Sequence, residues 1–279
     1  MILENFFGIF FHFMCISFGL WVNSWYICMS FILDNGNMQK KVTAIVLHTI
    51  KYSDSSLIVQ TYTEEEGRMS FFVRIPKSNK SKIKHMLFQP LAMLNLDIAV
   101  SQKQSLNRIV DAHLLFPYST IYYHPVKLSL AMFIAEFLSK SLQEEAANTP
   151  LFAYLKSAVE WLDHCDEKQA ANFHLVFLIR LTRFIGIYPN IEDYSDGDNF
   201  DLVNGSFSSI IPTHPHSLRN EEAELVGLMM RMNFDNMHFF RFSRNQRNRV
   251  VEVILAYYAI HLPGCADLKS LDVLRELFC

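Results

Sequence analysis

The sequence predicts an α+β chain in two parts: a small barrel of five short strands, then an α-helical domain broken by one irregular insertion. Three observations carry this. Residues 42–116 hold five β-like runs and no long helix. After Pro117 the apolar residues switch to helical spacing. Between the helical runs, residues 187–217 follow neither period. The boundaries that follow are an apolar N-terminal extension at 1–37, the barrel at 38–117 and the helical domain at 118–279.

The barrel runs are taken in order. VTAIVLHTIKY (42–52) is rich in β-branched residues, and SLIVQTYT (56–63) follows the turn Ser53-Asp54-Ser55. The acidic run at 64–66 reaches Gly67, a turn that leads into MSFFVRI (69–75). FQPLAMLNLDIAV (88–100) and SLNRIVDAHLLF (105–116) complete the set. Five strands in about 75 residues fit a Greek-key barrel such as the OB-fold. In the third strand Met69, Phe71, Val73 and Ile75 alternate inward, so Arg68, Ser70, Phe72 and Arg74 face the other way. An outward Phe beside two arginines suits a single-strand binder, with a ring for bases and cations for phosphates. The alternative is that Phe72 is covered by a loop or by the helical domain.

In the second half, HPVKLSLAMFIAEFLSKSL (124–142) has helical spacing. TPLFAYLKSAVEWLDH (149–164) opens on Thr-Pro as cap and first residue. EKQAANFHLVFLIRLTRFIG (167–186) ends on a capping glycine. Helices are also expected at 220–232, 244–262 and 269–277.

Composition narrows the function. Hydrophobic residues make up 51% of the 279 and charged residues 19%, which is ample for a packed core. A net charge of −3 excludes a uniformly basic binder, so any nucleic-acid contact must come from local patches. Five cysteines without a C-x-x-C pair form no disulfide framework and fit a reducing cytosol. Residues 1–33 contain no Lys or Arg and are long and apolar enough to span a bilayer. They lack the positive start and small-residue cleavage site of a secretory signal. The preferred reading is an extension outside the fold, with MQKKVTAIVLHT from Met38 as a complete domain opening; a membrane anchor is the alternative.

Two basic clusters stand out. Arg74, Lys77, Lys80, Lys82 and Lys84 lie on the end of the third strand and its outgoing loop, with no acid among them. Together with Arg68 and Phe72 they form the candidate DNA-binding set. The second cluster, RFSRNQRNR, supplies Arg241, Arg244, Arg247 and Arg249, with Ser243 placed to cap the following helix. Arginines at a helix N-terminus oppose the macrodipole, which hints at an anionic partner; pairing with Glu221, Glu222 and Glu224 is the alternative. His214-Pro-His216 reads as a turn rather than a metal site, and Cys165 beside His164 lacks the geometry of a nucleophile and its base. No P-loop, G-x-G-x-x-G or G-x-S-x-G is present, so no enzyme, cofactor or small-molecule substrate is expected.

Four stretches in order resemble the RecO family of bacterial recombination mediators. AIVLHTIKYSDSSLIVQTYTEEEGRMSFFV is similar to the family's opening strands, and RIPKSNKSKIKHMLFQPL to its basic loop and following strand. FIGIYPN (184–190) is similar to the segment before the family's central insertion, and LKSLDVLREL to its last helix. The resemblance implies an OB-fold plus a helical domain, and binding of single- and double-stranded DNA. It also implies strand annealing, and work with RecR and the C-terminal tail of single-strand-binding protein so that RecA loads, in the cytoplasm at the nucleoid. Many members hold a four-cysteine zinc site in the insertion; residues 187–217 contain no cysteine, so no metal is expected. On the residues alone, an OB-fold RNA-binding factor and a membrane-tethered interaction protein stay open.

Overall fold

The computed structural model describes residues 38–76, 83–100, 106–142, 146–192, 194–262, 264–265 and 268–277. Five strands, β1 (Met38–Ser53), β2 (Ser56–Thr63), β3 (Gly67–Arg74), β4 (Met93–Val100) and β5 (Asn107–Leu114), close into a barrel in the order β1-β2-β3-β5-β4. All pairs are antiparallel except β3 with β5. This is the five-stranded Greek-key barrel expected of an OB-fold.

β1 is long because it serves two neighbours: Met38 to Ile45 pair with β4, and Ala44 to Ser53 pair with β2. Its AIVL run is buried on both faces. Val42, Ala44 and Val46 enter the barrel core with Leu57, Phe71 and Val73. Ile45 and Leu47 point outward into the core of the helical domain. The acidic turn after β2 is built from Thr63: its hydroxyl donates to the Gly67 carbonyl (2.9 Å) and accepts from the Glu66 N–H. Gly67 has φ 72°, which a side chain there would resist. The Glu65 carboxylate folds back to accept the Thr43 N–H at 2.9 Å.

The helical domain contains α1 (Pro125–Ser141), α2 (Thr149–His164), α3 (Glu167–Ala170), α4 (Phe173–Leu181), α5 (Glu221–Arg231), α6 (Arg244–His261) and α7 (Ser270–Leu277). The cap of α2 lies one residue before the expected threonine, because the Asn148 side chain accepts the Leu151 N–H. The helix expected over 167–186 divides at Asn172, whose buried amide donates to the Met237 and Phe240 carbonyls. Its last turns close at Gly186 (φ 78°), where the Ile187 N–H reaches the Thr182 carbonyl. The insertion is less irregular than its sequence. It holds a three-stranded sheet of β6 (Asn199–Asp201), β7 (Ser206–Ser208) and β8 (Ser217–Leu218). Asp201 fixes the β6–β7 turn by accepting the Val203 and Asn204 N–H groups, and Phe200 and Phe207 join the main core.

The segment that leaves the barrel is pinned to the helical domain. The buried Asp163 carboxylate at the end of α2 accepts the N–H groups of Ser119, Thr120 and Ile121 at 2.8–3.0 Å. Lys127, 2% exposed, donates to Thr120 Oγ1 and to the Asp163 and Cys165 carbonyls. Burial alone would raise the Asp163 pKa, but the three backbone N–H groups and the Ser119 hydroxyl outweigh it and hold the group at about 2.

Candidate nucleic-acid interface

The outer surface of the β2–β3 hairpin carries the expected side chains, and the helical domain divides it in two. At the end near the acidic turn, Tyr62 is fully buried and its hydroxyl donates to the Ala146 carbonyl. Arg68 lies opposite Tyr62 and donates to Gln60 Oε1 (2.9 Å) and to Ser139 Oγ of α1 (3.3 Å). Its guanidinium is half-buried, and burial lowers its pKa. Arg68 therefore sits at the domain junction, not on the open face its strand parity suggested.

At the other end the face is open. Direct cross-strand partners share a face, and one row runs Ile50, Ile58, Phe72, Arg108 across β1, β2, β3 and β5. None of its three apolar members joins the barrel core or the main core. Phe72 is half-buried and meets Tyr52 edge to face, with ring centroids 5.9 Å apart. Arg74 and Arg108 are exposed and have no hydrogen-bond or ion-pair partner among the described residues. Lys84 is exposed just before a short 3₁₀ turn at His85–Phe88. Lys77, Lys80 and Lys82 lie outside the described residues. The hairpin is thus electrically polarised: Glu64, Glu65 and Glu66 occupy one end, and Arg74 the other. Lys51 is balanced locally by Asp54 at 3.0 Å.

Tyr52, Ile58 and Arg108 did not stand out in the sequence. Arg108 faces this surface only because β5 lies parallel to β3, a pairing no local pattern announces. Tyr52 had a signal, since it is an aromatic residue one position before the Ser-Asp-Ser turn.

The second cluster is mostly occupied by the protein itself. Ser243 caps α6 in a reciprocal pair with Gln246. Arg249 binds Glu222 at 2.6 Å and Glu252 at 3.4 Å, which is the ion pairing weighed against an anionic partner. Arg247 turns inward to Asn172 Oδ1 and the Phe242 carbonyl. Arg244 donates to the Arg275 carbonyl near the end of α7. Arg241 alone of the four is exposed without a partner among the described residues.

Chemistry elsewhere is sparse. His214 contacts Asp201 at 3.3 Å, and among the described residues no three His, Cys, Asp or Glu side chains gather as a metal site would require. Cys165 is buried, its thiol donates to the Leu162 carbonyl, and burial pushes its pKa up to about 11, which makes it a poor nucleophile. Among the described residues no helix is long and apolar enough to cross a membrane.

Comparison with known proteins agrees with this geometry. The model for the recombination protein O N terminus matches residues 38–118, and that for the C terminus matches 123–272. A DNA repair protein RecO of Phocaeicola vulgatus is 50% identical over 241 residues, 86% of this chain and 100% of the relative. RecO of Bacteroides fragilis is 48% identical and that of Flavobacterium johnsoniae 34%, each over 242 residues with the same coverage. A closed OB barrel joined to a helical domain, matched in both halves and along the full length of these relatives, places the chain in the RecO family of DNA repair proteins.

Proposed function

We propose that this protein is a recombination mediator that acts by binding rather than by turnover. It holds single- and double-stranded DNA, anneals complementary strands, and with RecR helps RecA load onto DNA coated by single-strand-binding protein. The observation that carries the reading is the open end of the barrel, where Arg74 and Arg108, unpartnered among the described residues, share a face with half-buried Phe72 and exposed Tyr52 while the glutamates lie at the far end of the hairpin. Strands 2 and 3 and the adjoining loops are where OB barrels take up oligonucleotides. Lys77, Lys80 and Lys82, which follow Arg74 in the sequence, belong to the same candidate set. A nearly neutral chain binds DNA through such a local patch and not through its whole surface.

The acidic, apolar tail of single-strand-binding protein is assigned to the helical domain. Exposed Arg241 beside exposed Phe239 is the candidate contact there, with Arg244 adjacent. The work takes place in the cytoplasm, at the nucleoid.

The test is annealing of complementary strands pre-coated with single-strand-binding protein. The expected result is faster annealing in the presence of this protein than with the coated strands alone. No acceleration across a wide protein range would contradict the proposal.

A further inference from the structure

The open row leaves one ring unexplained. Tyr52 is 68% exposed, and its hydroxyl has no hydrogen-bond partner among the described residues. It also breaks the ladder. Lys51 pairs with Leu57 and Ser53 with Ser56, so Tyr52 is an extra residue without a cross-strand partner. A bulge of this kind re-aims a side chain, and here the ring comes to rest against Phe72 at an interplanar angle of 81°. Phe72, held mid-strand between Ile58 and Arg108, is the less accessible of the two rings.

We propose that Tyr52 is the ring on which a base of single-stranded DNA stacks, that Phe72 positions it, and that Arg74 and Arg108 hold the flanking phosphates. This rests on the DNA-binding reading above and sharpens it to a strand preference. A duplex keeps its base faces against one another, so it can meet the arginines but offers nothing to Tyr52. A single strand can satisfy both, because every base has a free face. Charge complementarity favours nucleic acid over a protein partner on this face. Both arginines lack an acidic partner among the described residues, and the cluster of glutamates lies at the opposite end of the hairpin.

The experiment uses the full chain with Tyr52→Ala, Tyr52→Phe and Tyr52→Trp. The probes are an oligodeoxythymidine of about 15 nucleotides, the same strand without bases, and a duplex of equal length. Tyr52→Ala is expected to bind the single strand roughly tenfold or more weakly, with little change for the baseless strand or the duplex. Tyr52→Phe keeps the wild-type affinity, because stacking needs the ring and not the hydroxyl. The indole of Tyr52→Trp is expected to be quenched by the single strand and not by the duplex. Unchanged melting of Tyr52→Ala checks that the fold survives, as the exposure of the side chain implies. If wild type binds the single strand but Tyr52→Ala keeps the same preference for bases over the baseless strand, the assignment of Tyr52 fails while DNA binding stands. If wild type binds none of the three probes, both readings fail. Tighter binding of a fourth probe, an oligouridine of equal length, that is lost in Tyr52→Ala would overturn the choice of DNA.

Discussion

Two basic clusters that look alike in the sequence have opposite fates in the fold. At the start of α6, three of four arginines are consumed internally: Arg247 by Asn172 and a carbonyl, Arg249 by Glu222 and Glu252, and Arg244 by the Arg275 carbonyl. On the barrel, Arg74, Lys84 and Arg108 have no partner among the described residues. The difference arises from neighbours. α6 is hemmed in by α5, α7 and the polar break at Asn172, which supply carboxylates and carbonyl oxygens. The open end of the β2–β3 hairpin has its acids at the other end. A charge run is therefore informative about binding only once its internal partners have been counted.

The largest effect is expected at Arg247. Its guanidinium is half-buried and ties α6 to the Asn172 break, so Arg247→Ala should lower stability by about 2–3 kcal/mol. Chemical denaturation checks this; the corresponding barrel variant, Arg74→Ala, should unfold at the wild-type midpoint. An Arg247→Ala protein as stable as wild type would show that these contacts add nothing to the fold.

Next comes Asp163, which pins residues 119–121 to the end of α2. Its folded pKa of about 2 lies below its ordinary value of 3.8, so its contribution is full above about pH 4 and is lost as pH falls towards 2. That depression corresponds to about 2 kcal/mol at neutral pH. Asp163→Asn should therefore be destabilised at pH 7 and should show a shallower further loss in acid. Acid sensitivity of the wild type should start earlier, below about pH 6.5, because burial and then the nearby Arg247 charge hold the buried His174 neutral with a pKa of about 3. Denaturation midpoints measured between pH 7 and pH 2 test both effects.

Smaller effects lie at the surface. Arg249→Ala breaks an exposed ion-pair network and should cost less than about 1 kcal/mol. A chain beginning at Met38 should melt with unchanged cooperativity, since β1 and the family match both start there.

Much of the fold was legible for local reasons. The barrel strands follow β-branched runs punctuated by Ser-Asp-Ser and Gly67, and the inward parity of Phe71 and Val73 holds. The α6 cap was legible because Ser243 lies three residues before Gln246. The β6–β7 hairpin was missed although Asn204-Gly205 is a recognised hairpin signal; its strands are three residues long and have no room to display a period. The candidate site was legible only in part. Arg68 and Arg74 share a parity, and nothing local says that α1 would cover one of them. Arg108 required the β3–β5 pairing, and the Asp163–Lys127 lock required three separated segments to meet.

On the function proposed above, the free cations of the barrel, not the arginines at 241–249, hold DNA. The direct measurement is the salt dependence of single-stranded DNA affinity for three proteins: wild type, a variant with Arg74, Lys84 and Arg108 all changed to Ala, and a variant with Arg241 and Arg244 changed to Ala. Each phosphate contact contributes about 0.7 to the log–log slope for single strands, so loss of three contacts should flatten the barrel variant by about 2 and leave the α6 variant at the wild-type slope. A barrel variant with wild-type slope and affinity, or an α6 variant that loses the slope instead, would contradict the account.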